Sequence, residues 1–138
     1  MNAPAGSPTT TQSAGQSAPV ALLTGGGGAI ARAIALRLDV LGYRLVLSDI
    51  NPAAAEATAA LLSQPAEVIR CDQTDPADCA KLVKHMRERY PQLDVLINNA
   101  GYIHPGDFLD TNDAEIHRHI EINLTSPLRL IQGLAPHM

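Results

Sequence analysis

The 138-residue chain has no tryptophan, one phenylalanine and three tyrosines, so aromatics make up only 3% of it. That scarcity excludes a stacking platform for single-stranded nucleic acid, which needs a π-face for each successive base. Two cysteines, Cys71 and Cys79, are too few for the disulfide framework of a small secreted domain; a reducing, cytoplasmic setting fits them. There is no surplus of positive charge. Ten Lys and Arg face fourteen Asp and Glu, for a net charge of −4, the reverse of the basic stripe a nucleic-acid binder carries. No apolar run approaches the ~20 residues of a membrane span, and the first residues offer neither the basic start nor the apolar stretch of a secretory signal. Hydrophobic residues still reach 46%, enough for one domain with a buried core. These limits leave an enzyme or a small-ligand binder.

Residues 1–19 are Ala, Gly, Ser, Pro, Thr and Gln after Met1 and Asn2, with no charge and no bulky apolar side chain beyond Met1 and the aliphatic prolines. Such a segment buries too little to offset its ordering entropy and is expected to be a disordered tail. From Val20 the texture changes. Val20-Ala-Leu-Leu-Thr24 predicts a strand that runs into glycines, and Ile30, Ile34, Leu38 and Leu41 predict a helix over 29–41 closed by Gly42. Arg44-Leu-Val-Leu-Ser48 is a second strand. Asn51-Pro52 supplies an N-cap and a proline at the first helical position, opening a helix to about Ser63. Glu67-Val-Ile-Arg70 reads as a third strand, and Asp75-Pro76 repeats the capping device before a helix that buries Cys79, Leu82, Val83 and Met86. Leu93-Asp-Val-Leu-Ile97 is a fourth strand. A last helix starts near Asn112, with Glu115 completing a capping box. Strands alternating with helices predict a parallel sheet covered on both faces.

Thr24-Gly-Gly-Gly-Gly28-Ala-Ile-Ala31 lies between a strand and a helix. Glycine suits that position because the chain turns sharply and a phosphate must touch bare backbone, while the helix N-terminus offers free N–H groups and a positive dipole end. Read as Gly26-x-Gly28-x-x-Ala31, the segment fits the dinucleotide fingerprint in its Ala-ending form. A glycine turn that binds nothing is the alternative; the strand–turn–helix context favours the nucleotide. Asp49 falls near the ~20-residue offset at which an acid meets the adenosine ribose. A carboxylate there accepts from the ribose hydroxyls and repels a 2′-phosphate, and no Lys or Arg stands in the glycine turn, so NAD is expected over NADP. Asp49 leading into the Asn51 cap is the plainer reading. His117 and His119 lie two apart on a helix and face different ways, so no metal site is expected.

Asn98-Asn-Ala-Gly101, directly after an apolar strand, resembles the short-chain dehydrogenase/reductase family. The Thr24-Gly25 turn, Asp49, the Cys71-Asp72 step and Ile122-Asn123-Leu124 follow in that family's order. The resemblance covers Val20 onward. It implies an α/β, Rossmann-like doubly wound parallel sheet, incomplete, with four βα units and strand order 3-2-1-4. Residues 20–138 are then a partial NAD-binding domain. It also implies that Gly25, Gly27, Gly28, Ala29 and Ile30 border the diphosphate and nicotinamide, with Ala29 and Ala31 standing where the family carries glycine. By the same resemblance Asp49 and Ile50 hold the adenosine end. Asp72, with Gln73 beside it, meets the adenine amino group; Asn99, Ala100 and Gly101 run along the ribose; and Asn98 braces the sheet. Asn123 matches the asparagine of the family's catalytic relay, which acts through a main-chain carbonyl. Pro127, four residues on, has no N–H to give that carbonyl, so a kink is expected there; the alternative is a capped helix that carries Ser126-Pro127 at a bend.

The family's chemistry uses a tyrosine, a lysine four residues later and a serine. Tyr43, Tyr90 and Tyr102 are followed at that spacing by Leu47, Asp94 and Gly106. The expected reading is therefore the cofactor half of an NAD-dependent oxidoreductase acting on a small alcohol or carbonyl substrate. On this reading the chain is truncated before its catalytic pair, lacks nucleic-acid and membrane partners, and comes from a homo-oligomeric parent. A non-catalytic nucleotide-binding remnant or an interaction module is the other reading.

Overall fold

The computed structural model describes residues 17–138; the rest of the expected tail, residues 1–16, lies outside the described residues. Four strands form one parallel sheet: β1 (Val20–Thr24), β2 (Arg44–Asp49), β3 (Glu67–Arg70) and β4 (Val95–Ile97), in the order β3-β2-β1-β4. This is the expected 3-2-1-4 arrangement. Leu22 stands level with Val46 on one side and Leu96 on the other, so each register follows from matching apolar residues.

Alternate residues of the strands feed two cores. On one face, α3 (Pro76–Arg89) and α5 (Ser126–Leu134) bring Leu82, Met86, Leu130 and Leu134 against Val20, Leu22 and Val46. On the other, α1 (Ala29–Val40) and α2 (Pro52–Ala59) present Ala31, Ala35 and Ala55 to Ala21, Leu23, Leu45 and Leu47. Large side chains fill the first face, each worth about 1.5–3 kcal/mol when fully buried. Alanines on the second let the helices sit close to the strands. β1 is buried along its whole length, as a central strand covered on both faces should be. β4 is half-buried and pairs only with β1 among the described residues.

The element boundaries have local causes. α1 is closed by Gly42 (φ 82°), with the Tyr43 N–H donating to Leu38 O and the Gly42 N–H to Asp39 O, the paired bonds of a left-handed glycine cap. α2 stops before the expected Ser63, because the Asp39 carboxylate accepts the Ser63 N–H at 2.8 Å and the Gln64 N–H at 3.3 Å. β4 is shorter than expected, because the Leu93 N–H donates to His137 O rather than into the sheet. The last helix is not continuous. α4 (Asp113–Ile120) passes through a π-helical turn, Glu121–Thr125, before α5 begins. There the Ser126 N–H reaches back to Glu121 O. Pro127 follows without an N–H, so neither Ile122 O nor Asn123 O can receive a bond from it. The expected kink takes the form of this wider turn, a feature that recurs at functional sites.

Candidate functional site

All four strands point their C-terminal ends at one edge of the sheet. The loops that leave them surround a cleft of about 1520 Å³. β1 lies between β2 and β4, so the chain crosses to opposite faces on either side of it, the switch point at which α/β sheets open a crevice.

The glycine turn forms one lip. Gly25 has φ 66°, and a Cβ on it would stand 2.8 Å from Ala100 Cα. A Cβ on Gly26 would stand 2.9 Å from Leu47 Cβ, and one on Gly27 2.4 Å from Ala54 Cβ. Packing therefore demands glycine at all three. Gly28 differs: its Cβ would meet only Gly25 O, at 3.4 Å. Gly25, Gly28, Ala29 and Ile30 line the cleft. Gly27, expected beside them, does not; it is pressed against α2 and its N–H donates to Asp49 Oδ2 at 2.9 Å.

The helix after this turn carries no side-chain cap, and no acidic residue stands in its first turn. The other α-helix starts that follow loops are closed: Asn51 accepts from the Ala54 N–H, Asp75 from Ala77 and Asn112 from Glu115. The first N–H groups of α1 thus face the cleft without a protein partner from a cap, the arrangement that attracts an anion.

Asp49 ends β2 opposite this mouth, half-buried, with Oδ1 accepting the Asn51 N–H at 2.8 Å. Asn51 makes the α2 cap with its own side chain, and Asp49 leads into that cap through its bond to the Asn51 N–H. Ile50 is 53% exposed beside it. Across the floor, Asp72 Oδ1 accepts from the Thr74 N–H and hydroxyl at 2.9 and 2.7 Å. Gln73 is buried and its Oε1 has no partner. Cys71 borders the cleft but is buried in the core, and burial pushes its thiol's pKa up to about 12, so it stays neutral.

Thr24 joins β1 to the end of β4. Its buried hydroxyl accepts the Asn99 and Ala100 N–H groups at 3.1 and 3.0 Å and donates to Ile97 O at 3.4 Å. The Asn99 amide donates to Thr24 O at 3.0 Å and Gly25 O at 3.4 Å, fixing the glycine turn to the end of β4. Bracing, expected of Asn98, is thus done by Asn99; Asn98 Oδ1 is buried without a partner. Ala100 and Gly101 line the cleft just beyond.

The opposite lip comes from the loop after Gly101 and from α4. Asn123 clasps the Tyr102 backbone from both sides, accepting its N–H at 2.9 Å and donating to its carbonyl at 2.8 Å. The Tyr102 hydroxyl donates to Glu115 Oε2 at 2.7 Å, and Arg118 stacks over the Tyr102 ring at 4.4 Å. That hydroxyl holds the Glu115 carboxyl below the usual carboxylate range, and the same bond raises the Tyr102 phenol. The capping box expected at Asn112 is therefore half-formed: Asn112 accepts the Glu115 N–H at 3.0 Å, while the Glu115 side chain serves Tyr102.

Compared with known families, residues 19–138 match the short chain dehydrogenase family. The chain belongs to that family. It is 34% identical over 120 residues to 17-beta-hydroxysteroid dehydrogenase 13 of Rattus norvegicus, covering 85% of this chain and 40% of that protein. Sorbitol dehydrogenase of Cereibacter sphaeroides is 33% identical over 118 residues, with 86% and 46% covered. Among solved structures, a metagenomic short-chain oxidoreductase in complex with NADP superposes with a TM-score of 0.82 at 31% identity, over 87% of this chain and 56% of that one. The chain thus spans less than half the length of these two curated relatives. Four residues that hold the site together have other readings in the sequence or none: Thr24 stands there only as the start of the glycine turn, Glu115 as half of a capping box, Tyr102 as a tyrosine without a lysine four residues on, and Arg118 has none. Thr24 carries a local signal for this role, a hydroxyl at a strand end against glycines, whereas the local signal at Glu115 points to the helix cap instead. The other three come together through the loop path, which periodicity does not reveal.

Proposed function

We propose that the cleft holds a nicotinamide dinucleotide, NAD in preference to NADP, for an oxidoreductase that works on an alcohol or carbonyl compound. The observation that carries this is the uncapped start of α1 facing the Asp49 carboxylate across one mouth. The N–H groups there suit a diphosphate, and Gly28 leaves room for it to approach. Gln73 Oε1 and Asp72 offer acceptors to a base on the floor. When bound, the nicotinamide supplies the hydride chemistry.

The residues of this chain bind and orient. Two backbone N–H bonds fix the Asp49 carboxylate, so its charge stands where a ribose hydroxyl can donate and a 2′-phosphate is repelled. That one relative's structure contains NADP makes the preference a property of this chain's own acid rather than of the fold. Asn123 acts through Tyr102, holding the far lip, and its π-turn leaves a carbonyl without a donor from Pro127. The tyrosine–lysine pair of the family's reaction is not among these 138 residues, so the chain by itself is expected to bind without turnover. The relatives' names point to a steroid in one case and a sugar alcohol in another, which supports the class of substrate and nothing narrower.

Calorimetric titration tests this reading. NAD binds the chain about tenfold or more tighter than NADP, and Asp49→Asn, which keeps the side-chain size, narrows that gap chiefly by improving NADP. If neither dinucleotide binds, or NADP binds the native chain tighter, the reading fails.

A further inference from the structure

His119 sits on α4 with both ring nitrogens engaged. Nδ1 lies 2.7 Å from Glu115 O, one turn back on the same helix. A carbonyl only accepts, so Nδ1 carries the hydrogen. Nε2 lies 3.1 Å from the His104 backbone N–H, which only donates. Nε2 must therefore present its lone pair, and the geometry admits one state of the ring: neutral, protonated at Nδ1.

We propose that His119 is a proton-operated latch that positions the outer lip of the cleft. In its neutral form it ties the loop at His104 to α4. A proton on Nε2 places two donors face to face at 3.1 Å and opens that tie. The residue next to His104 in the loop, Ile103, lines the cleft and is 84% exposed, so it has little packing of its own to hold it. The neighbouring attachments of Tyr102, to Asn123 and Glu115, do not pass through His119. Release is thus confined to the lip beyond Tyr102.

The charged and titratable groups around the ring come from both elements. From α4, the Glu115 carboxylate favours the imidazolium and Arg118 opposes it. From the loop, His104 has its Nδ1 3.6 Å from Glu115 Oε2 and opposes a second positive charge when it is itself protonated, and the Tyr102 ring meets the His119 ring edge-on at 5.0 Å. His104 is itself a histidine beside the same carboxylate, so the test must separate the two. Only His119 contacts the backbone donor.

The experiment is an NMR titration of the nitrogen-15-labelled chain from pH 8 to pH 5. The His104 amide shift follows the same midpoint as the His119 ring. Its hydrogen-exchange rate, divided by the intrinsic rate at each pH, rises about fivefold or more across that midpoint, the loss of one ordinary hydrogen bond. A His104 amide that stays flat through the His119 midpoint overturns the proposal. His104→Gln keeps the backbone donor and retains the step; loss of the step there assigns it to the His104–Glu115 pair and also overturns it. His119→Phe gives fast exchange at His104 at every pH, with no step, and a step that survives this change has the same force. None of these readouts depends on a nucleotide binding.

Discussion

Alanine at Gly27 and alanine at Gly28 differ by one position and are expected to fail in opposite ways. At Gly27 the new carbon would lie 2.4 Å from Ala54 Cβ and 3.0 Å from Ala54 C. Carbon atoms pack at about 3.5–4.0 Å, so α2 must retreat by roughly an ångström. Overpacking of this kind costs about 1–3 kcal/mol. The retreat also draws Gly27 away from Asp49, weakening a bond to a charged group worth about 1.5–3 kcal/mol. A net loss of about 3 kcal/mol follows, or a melting temperature lower by about 10 °C for a domain of this size. At Gly28 the backbone has φ −75° and ψ 159°, open to any residue, and the only near contact is at 3.4 Å. The fold should lose no more than about 1 kcal/mol, the cost of alanine at an N-cap. Its methyl group, however, stands in the mouth of α1. If a diphosphate settles there, affinity for NAD falls about 5- to 150-fold, the same overpacking penalty expressed as binding. Urea denaturation followed by circular dichroism measures the first effect and calorimetry the second. Equal stability of the two variants would refute the packing argument, and full NAD affinity in a folded Gly28→Ala would refute the placement of the diphosphate.

Two further predictions concern the two ends of the sheet. Asn99→Ala removes both donors that hold Thr24 O and Gly25 O and should cost about 1–3 kcal/mol in denaturant titrations; Asn99→Asp should cost more at neutral pH, where a carboxylate faces two carbonyls, and recover on acidification. At the opposite end of the sheet, burial works to raise the Glu67 carboxyl, but the Tyr90 hydroxyl and His85 outweigh it and hold it below its usual 4.5. A lowered carboxyl stabilises the fold above its unfolded value, and that contribution disappears as pH falls through the folded value. Stability measured by denaturation should therefore drop below about pH 4.5 in the native chain and drop less in Glu67→Gln; identical acid profiles would remove Glu67 from the account.

The sheet was legible in the sequence because its signals are local and redundant. Each strand is a short apolar run, and Asn51-Pro52 and Asp75-Pro76 announce their helices with a side-chain acceptor and a fixed φ, so element type and order needed no long-range information. The four glycines were legible as a group but not as individuals. Three are required by what lies across from them: Ala100, Leu47 and Ala54. Those neighbours belong to later elements, and nothing within the turn tells Gly27, which α2 presses, from Gly28, which opens on the cleft. Asn98 and Asn99 posed the same problem. Two identical side chains in a row point to opposite sides of an extended segment, and only the register of β4 against β1 sends Asn99 toward Thr24.

The last helix shows how a local rule yields to a longer-range bond. Asn112 and Glu115 have the spacing of a reciprocal cap, in which the glutamate returns to the N-cap N–H. That return is one neutral N–H to carboxylate bond at an exposed helix start. The Tyr102 hydroxyl competes for the same carboxylate and brings more with it, since the ring also receives Arg118 on its face and His119 against its edge. Glu115 in turn gives its backbone carbonyl to His119. One carboxylate and one carbonyl of the same residue thereby organise the loop that follows Gly101, and Asn123 fixes its first residue from the π-turn. The far lip of the cleft is thus set from α4 and the π-turn rather than by the sheet, whereas the near lip is set by Thr24 and Asn99 on the strands. It follows that the two lips can loosen independently: a perturbation of His119 or Glu115 should leave the glycine turn in place, and one at Asn99 should leave the Tyr102–Glu115 bond intact.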